Sequence, residues 1–325
     1  MQTCLWVRVQ HNLVLGFLAC ILFPLTAPCL AQSAQTEPTR TTPYSLRIPV
    51  DEISLTFHAS DRNGKPLTRL TARDLDLSDN GKRPRGVLML QSLEDLPIRA
   101  GFLFDISASM REETEFNRSV IQMYASRLIR KGVDQAFVMQ FDTRTLLAQD
   151  WTDKDSAIAV GSAAIGPRPN RLDPLTAIFD SLYTTCRDRW GAKEAESTGN
   201  FILLFSDGED DASHAYLSEA VDMCQRRHIA IYVFEGGGAS HFSDGRGTLK
   251  ALAQQTGGRV FIHPRGNEVW RDLETIEAEQ RYQYRLAYKP PEFTADGSFH
   301  RIRLQCLAPG VRVVTRSGYY AFPNP

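Results

Sequence analysis

The sequence has no excess of charge of either sign. Its 325 residues include 37 Lys and Arg and 38 Asp and Glu, which gives a formal net charge of -1 at neutral pH. Without a net positive field, the chain has no general attraction for nucleic acid or for anionic lipid. We therefore expect no nucleic-acid partner.

Cysteine is scarce in the part of the chain that is expected to fold. Three of the six cysteines fall within the first 31 residues, and the others are Cys186, Cys224 and Cys306. No CxxC motif and no Cys/His spacing indicates a zinc site. Cys186 and Cys224 are each predicted toward the end of a helix. The sequence allows either a disulfide between these two or a pair of buried thiols.

A long apolar run occurs near the amino terminus, where LVLGFLACILFPLTAPCLA follows shortly after Arg8 and ends at Ala31. This pattern predicts a secretory signal peptide over residues 1–31, with cleavage after Ala31. An uncleaved membrane anchor is the alternative, because the run is close to the length of a span. Residues 32–47 are polar and predict a flexible leader. We expect an exported protein, periplasmic or secreted, that meets the membrane only if the segment is uncleaved.

Two segments, 48–96 and 281–325, alternate apolar and polar residues with the period of a β-strand. In the first, Ile53, Leu55 and Phe57 alternate with polar residues, and Asn80-Gly81 further along predicts a hairpin turn. In the second, VRVVTRSGYYAF is predicted as a last strand. Each segment has too few strands to bury a core, so together they predict one small β-sandwich.

Residues 97–280 have a different pattern of apolar residues. Short, nearly continuous apolar runs such as AFVMQF, FILLF and IAIYVF alternate with helical patterns, including one over 111–131 and one over 212–227. Such runs are typical of strands that are covered on both faces. The fold class predicted is therefore α/β: a doubly wound, mostly parallel sheet inserted between the two β-rich flanks.

Oxygen-bearing side chains follow two of the predicted central strands. Asp105 ends one apolar run and Asp207 follows another, while Ser107 and Ser109 come just after Asp105 and Thr176 precedes a helix. Ligands of doubly wound sheets bind beyond the carboxyl ends of the strands. Carboxylate and hydroxyl oxygens suit a hard cation, so these five residues predict a site for Mg²⁺ or Mn²⁺. The alternative for each hydroxyl is a helix cap.

The acidic segment after Asp207 has two interpretations. Glu209, Asp210 and Asp211 could form an accessory acidic cluster. They also fit the first turn of the helix predicted over 212–227, where negative charge is favourable.

These motifs resemble von Willebrand factor type A (VWA) domains. DISAS matches the DxSxS signature of that family, LTAIFDSLY resembles its threonine segment, and LLFSDGED resembles its strand-end aspartate segment. The resemblance implies a metal-ion-dependent adhesion site (MIDAS) formed by Asp105, Ser107, Ser109, Thr176 and Asp207. The flanking segments are similar to those of exported bacterial VWFA-related domain proteins.

The resemblance implies a binding module rather than an enzyme. Its cation would be presented to an Asp or Glu of a protein partner. A hydrolase that uses the same cation to activate water is one alternative, and a scaffold with a vestigial site is another. Ser107 and Ser109 have no GxSxG frame, and the glycines of EGGGASHF are not followed by the Lys-Ser pair of a phosphate-binding loop.

Overall fold

Strands that belong to three sheets form the framework of the molecule. The computed structural model describes residues 52–166, 175–191, 195–236, 245–262 and 267–322. In chain order the strands are β1 (Ile53–Ser60), β2 (Leu75–Asp79), β3 (Gly86–Leu93), β4 (Ile98–Asp105), β5 (Gln135–Phe141), β6 (Thr145–Thr152), β7 (Gly199–Ser206), β8 (Ile229–Glu235), β9 (Val260–Ile262), β10 (Gln283–Lys289), β11 (Phe299–Cys306), β12 (Arg312–Thr315) and β13 (Gly318–Tyr320).

The α-helices lie between β4 and β10 in the chain. They are α1 (Thr114–Arg127), α2 (Asp155–Ala163), α3 (Ile178–Arg189), α4 (Leu217–Arg226), α5 (Gly245–Thr256) and α6 (Asn267–Arg281). Short 3-10 helices cover Ala72–Asp74 and Ala108–Glu113, and the second of these leads from β4 into α1.

The central sheet has six strands in the order β6-β5-β4-β7-β8-β9. Neighbouring strands are parallel except for the edge strand β6, which is antiparallel to β5. Strands β7 and β8 are buried along their full lengths, as their continuous apolar sequences predict. Along β4, Phe102 and Phe104 belong to one buried cluster and Leu103 to another, because successive side chains point to opposite faces.

Helices cover both faces of this sheet. On one face α1, α2 and α6 contribute apolar side chains such as Tyr124 and Leu273. On the other, α3, α4 and α5 contribute side chains such as Leu182 and Leu252. The predicted fold class, a doubly wound and mostly parallel α/β sheet, is confirmed.

Some elements of this layer differ from the sequence-based expectation. Neither strand β6 nor helix α2 was predicted from the sequence. Strand β6 is a half-exposed edge strand with no clear alternation of apolar and polar residues. The helix predicted over 111–131 is α1 preceded by a 3-10 turn and ends at Arg127. The helix predicted from residue 212 begins only at Leu217.

The two β-rich flanks pair with each other. One sheet has the order β12-β1-β10-β3 and the other β13-β11-β2, so each contains strands from both ends of the chain. Leu55 of β1 lies opposite Leu286 of β10, and Leu77 of β2 lies opposite Leu304 of β11. All four side chains belong to one buried cluster between the sheets. The expected sandwich is therefore present.

Two predictions within the sandwich are wrong. Strands β2 and β3 do not form a hairpin: β2 pairs with β11 and β3 pairs with β10, in different sheets. Asn80 and Gly81 do form a turn with positive φ angles, but it closes only the isolated bridge between Asp79 and Lys82. The predicted last strand is two strands, because β12 pairs with β1 whereas β13 pairs with β11.

A buried ion pair joins the end of α6 to the α/β layer. The Arg281 guanidinium donates hydrogen bonds of 3.0 Å and 2.8 Å to the two carboxylate oxygens of Asp134. Asp134 also accepts the backbone N–H of Ile98 at the start of β4. Burial alone would raise the pKa of Asp134, but the hydrogen bonds from Arg281 and from the backbone outweigh it and hold the pKa below its usual value.

Cys186 of α3 and Cys224 of α4 form a disulfide, with their Cα atoms 5.0 Å apart. This settles the alternative that the sequence left open. The predicted signal peptide, 1–31, and leader, 32–47, lie outside the described residues. Within the part of the chain that is described, no helix is both long and apolar enough to cross a membrane.

Candidate metal centre

The two candidate carboxylates lie at the same edge of the central sheet. Asp105 is the last residue of β4, and Asp207 directly follows the neighbouring parallel strand β7. Both residues are buried. Ser206, the last residue of β7, donates a 2.8 Å hydrogen bond from its hydroxyl to Asp105 Oδ2. The topology thus brings together two acids that are 102 positions apart in the chain.

The loop after β4 folds back on Asp105. The backbone N–H of Ser107 donates a 2.9 Å hydrogen bond to Asp105 Oδ1, and the hydroxyl oxygens of Ser107 and Ser109 are 3.1 Å apart. Ser107 stands at the N-cap position of the 3-10 helix, yet its side chain makes no capping hydrogen bond. The helix-cap interpretation is therefore wrong for Ser107, whose hydroxyl instead lies beside that of Ser109.

Thr176 is held against the loop that carries Asp207. Its backbone N–H donates a 2.7 Å hydrogen bond to Asp211 Oδ1, and its carbonyl oxygen accepts the N–H groups of Asp211 and Ala212, each at 3.1 Å. The N-cap residue of α3 is Ala177 rather than Thr176, and its N–H donates to the carbonyl oxygen of Asp142 at 2.9 Å. Thr176 is buried and does not cap the helix that it precedes.

The acidic segment after Asp207 does not occupy the first turn of its own helix. Helix α4 begins at Leu217, six residues beyond Asp211. Asp210 instead accepts the backbone N–H of Phe179 at 2.9 Å, in the first turn of α3. The acids therefore stabilise the N-terminus of a different helix, the one that follows Thr176. Sequence spacing could not have revealed this contact, because it joins segments more than thirty residues apart.

The residue after Asp207 has to be glycine. Gly208 has a φ of +85°, and a Cβ at this position would lie 2.3 Å from the carbonyl oxygen of Gly245 at the start of α5. No other residue fits this approach without moving the backbone. The close contact fixes the path of the chain directly beyond Asp207.

Burial shifts the titration of Asp105. The pKa of Asp105 is raised to about 6, chiefly because its carboxylate is buried, and the charge of Asp207 adds to the increase. Hydrogen bonds from Ser107 and Ser206 act in the opposite direction. Neither acid forms an ion pair with another described residue. A divalent cation would supply the missing positive charge.

The donor set fits a hard cation. It consists of two carboxylates and three hydroxyls, with no thiolate or imidazole, which is the ligand chemistry of Mg²⁺ and Mn²⁺. Across the described ranges, no group of three or more His, Cys, Asp or Glu residues is arranged to hold a metal. The candidate centre therefore depends on its hydroxyls. The contacts link Asp105, Ser107 and Ser109 directly, while Thr176 contacts the Asp207 loop.

Two residues of this edge were not anticipated from the sequence. Ser206 contacts Asp105, and the buried Asp142 follows β5 and accepts the N–H of Arg144 at 3.0 Å. The signal for Asp142 is the same as for Asp105: an acid directly after a buried strand. For Ser206 the sequence holds no signal, because a single serine at the end of an apolar run does not indicate a contact with Asp105.

The comparisons with known proteins concern the fold. No protein-family model matches the chain, and no curated protein matches its sequence. Among solved structures, the conserved hypothetical protein BatB from Bacteroides thetaiotaomicron is similar, with 16% identity and a TM-score of 0.46 over 55% of this chain and 97% of that one. An aerotolerance-related membrane protein from Bacteroides fragilis has 16% identity and a TM-score of 0.44 over 56% and 98%.

A third structure is proximal thread matrix protein 1 from the mussel byssus, in a form with a zinc-occupied MIDAS motif. Its identity is 16% and its TM-score 0.45, over 57% of this chain and 48% of that chain. Similarity at this level does not extend to function.

Proposed function

We propose that this chain is an exported, VWA-type binding module whose Asp105, Ser107, Ser109, Thr176 and Asp207 hold one Mg²⁺ or Mn²⁺ ion. The ion is presented to an Asp or Glu of a protein partner. The observation that carries this proposal is the pair of buried carboxylates, Asp105 and Asp207, which lie at one sheet edge without an ion-pair partner among the described residues.

Charge balance explains how such a site would bind a partner. Two carboxylates neutralise a divalent cation, and the remaining protein ligands are neutral hydroxyls. Mg²⁺ takes six oxygen ligands, so at least one coordination position is left for an oxygen from outside the chain. A partner carboxylate that replaces water there is attracted to the cation by its full charge, whereas a neutral amide gains far less.

The disulfide supports the export part of the proposal. Disulfides persist in oxidising compartments such as the bacterial periplasm, and Cys186–Cys224 is present in the folded chain. N-terminal sequencing of the mature protein is the test. We expect a first residue of Gln32, and a cytosolic protein that starts at Met1 would contradict export.

Calorimetric titration tests the metal site. We expect one divalent ion to bind the wild type, and we expect Asp105→Ala and Asp207→Ala each to abolish most of the binding. Asp76→Asn is the matched control, because Asp76 is exposed on β2 of the sandwich and should leave the titration unchanged. Zn²⁺ belongs in the series with Mg²⁺ and Mn²⁺.

Partner capture tests the adhesion role. Wild-type protein immobilised in Mg²⁺ should retain a partner from an envelope extract, release it in EDTA and recover it when Mg²⁺ is restored. Asp105→Ala should retain none. The proposal makes the site non-catalytic, so metal-dependent hydrolysis of a phosphate ester that is lost in Asp105→Ala would favour the hydrolase instead.

A further inference from the structure

A groove separates the end of α4 from the sandwich. Its volume is about 510 Å³, which is within the range of small-molecule sites in proteins. One wall is the last turn of α4 with Arg227 and His228, and the other is formed by β1, the β10–β11 loop and the segment from Arg316 to Phe322. None of the five candidate metal residues lines it. The groove is therefore separate from the metal centre.

Two arginines that line this groove each have a side-chain nitrogen without an acceptor. The Nε atoms of Arg227 and Arg316 are buried and donate no hydrogen bond to any described residue. Arg316 donates from Nη2 to the carbonyl oxygen of Ser54 at 2.8 Å, but neither arginine forms an ion pair within the described ranges. A buried donor without an acceptor is unfavourable by an amount comparable to a lost hydrogen bond. Both arginines therefore bring a guanidinium without an ion-pair partner among the described residues to the groove wall.

The acids that line the groove, Asp222 and Glu52, form no ion pair with either of these two arginines. Asp222 accepts a 2.6 Å hydrogen bond from Arg226 of the same helix, so that pair is balanced. Glu52 lies exposed at the rim. Burial also lowers the pKa of Arg316, and the attraction to nearby acidic groups, Asp222 among them, offsets this decrease only in part.

The rest of the wall is aromatic. Phe293, Tyr319, Tyr320 and Phe322 line the sandwich side. Tyr320 and Phe322 stack with ring centroids 5.9 Å apart, and the Arg316 guanidinium carbon lies 6.0 Å from the centre of the Tyr319 ring. An apolar wall with a few convergent polar donors is the composition of a site for a small organic molecule.

We propose that this groove is a second binding site and that it takes a small carboxylate with an apolar body. The carboxylate would accept the N–H groups of Arg227 and Arg316, and the apolar body would lie on the aromatic wall. An aliphatic and an aromatic acid share this chemistry, and binding of either kind by the probes below supports the assignment.

The test is calorimetric titration of the full mature protein in EDTA, so that the metal centre holds no ion. The probes are decanoate below its micellar concentration, 3-phenylpropanoate, decyltrimethylammonium and acetate. We expect decanoate or 3-phenylpropanoate to bind with one molecule per chain. Decyltrimethylammonium lacks the anion and acetate lacks the apolar body, so each should bind at least about tenfold more weakly.

Variants locate the binding. Arg227→Gln and Arg316→Gln should each weaken binding about tenfold or more, because each removes a charge-assisted hydrogen bond. Arg301→Gln, on the exposed side of β11, is the matched control and should bind as the wild type does. Thermal melting establishes that each variant is folded, and Arg227→Gln serves as the test if loss of the Arg316–Ser54 contact prevents folding.

Asp105→Ala separates this groove from the metal centre and should bind the acid as tightly as the wild type. The proposal is overturned if neither acid binds, if decyltrimethylammonium binds as well as decanoate, or if both arginine variants keep wild-type affinity. Loss of binding in Asp105→Ala would also overturn it.

Discussion

Ser206 and Asp105 are joined across two neighbouring parallel strands: the Ser206 hydroxyl donates a 2.8 Å hydrogen bond to Asp105 Oδ2. The same hydroxyl oxygen accepts the backbone N–H of Gly208 at 3.1 Å. Ser206 therefore connects the Asp105 carboxylate to the chain on both sides of Asp207. It orients one candidate ligand and fixes the backbone of the other.

Replacement of this hydroxyl should weaken metal binding without abolishing it. Ser206→Ala removes a donor that favours the ionised form of Asp105, so the pKa of Asp105 should rise above about 6. A hydrogen bond to a charged group contributes about 1.5–3 kcal/mol, so Mg²⁺ binding near neutral pH should weaken by roughly tenfold or more. Calorimetry checks the affinity. An affinity equal to that of the wild type would show that Ser206 does not position the site.

The buried ion pair between Arg281 and Asp134 should dominate the stability of the junction between α6 and β4. Arg281→Met removes two hydrogen bonds to the buried Asp134 carboxylate and leaves it with the longer 3.4 Å ion pair to the Arg130 side chain, which should lower the free energy of unfolding by about 3 kcal/mol. Lys82→Met breaks the exposed pair with Glu292 and is the control, with an expected change of under about 1 kcal/mol. Equal effects in chemical denaturation would contradict this.

His228 should make stability depend on pH. Its pKa is lowered to about 4 by burial and then by the charges of Arg285 and Arg316, whereas its ordinary value is 6.5. Between these values the unfolded chain binds a proton and the folded chain does not. The free energy of unfolding should therefore fall as pH drops from about 6.5 to about 4, by roughly 3 kcal/mol from this residue.

His228→Asn is the variant that isolates this effect. Position 228 has a φ of +52°, a left-handed conformation that Asn tolerates better than most residues. Unfolding measured over this pH window should show a smaller loss in the variant than in the wild type. Identical pH profiles would mean that His228 titrates normally in the folded protein.

The Cys186–Cys224 disulfide should stabilise the packing of α3 and α4 on one face of the central sheet. It closes a segment with a sequence separation of 38 between α3 and α4. The chain-entropy relation gives about 4 kcal/mol for a loop of that length. The double variant Cys186→Ala with Cys224→Ala should lose a comparable amount in chemical denaturation under oxidising conditions. Under reducing conditions the wild type should approach the variant, and no difference between them in either condition would contradict the prediction.

The sequence carried most of the information needed for the α/β layer. Strands β7 and β8 are continuous apolar runs because helices cover them on both faces, and such runs are legible without a structure. The placement of Asp105 and Asp207 at one edge follows from strand polarity alone. Strand β6 was missed because it lies at the edge of the sheet and exposes Leu146 and Leu147. Its apolar residues therefore form neither a continuous run nor a regular alternation.

The strand pairing of the sandwich could not be predicted from the sequence. Alternation identified its strands, but alternation states only which side of a strand is buried and not which strand lies beside it. Asn80-Gly81 forms the predicted turn, yet Leu75–Asp79 and Gly86–Leu93 go to different sheets because β11 and β10 compete as partners. Such pairing is decided by contacts between residues about two hundred positions apart in the chain.

The contacts that support the candidate site were hidden for the same reason. Asp210 and Asp211 fit the start of their own helix by spacing, but their carboxylates accept N–H groups from Phe179 and Thr176. A local pattern cannot reveal a contact that depends on two loops meeting at the edge of a sheet.

Crystals soaked in Mn²⁺ provide the most direct test of the metal site. Anomalous scattering should locate one Mn²⁺ ion between β4 and β7, with Asp105, Ser107 and Ser109 on one side and Asp207 and Thr176 on the other. The oxygens that bind the ion directly, from side chains or from bridging waters, should lie at about 2.1 Å. At least one coordination position should face solvent. No anomalous peak at this edge at millimolar Mn²⁺, or a peak only elsewhere on the molecule, would contradict the account.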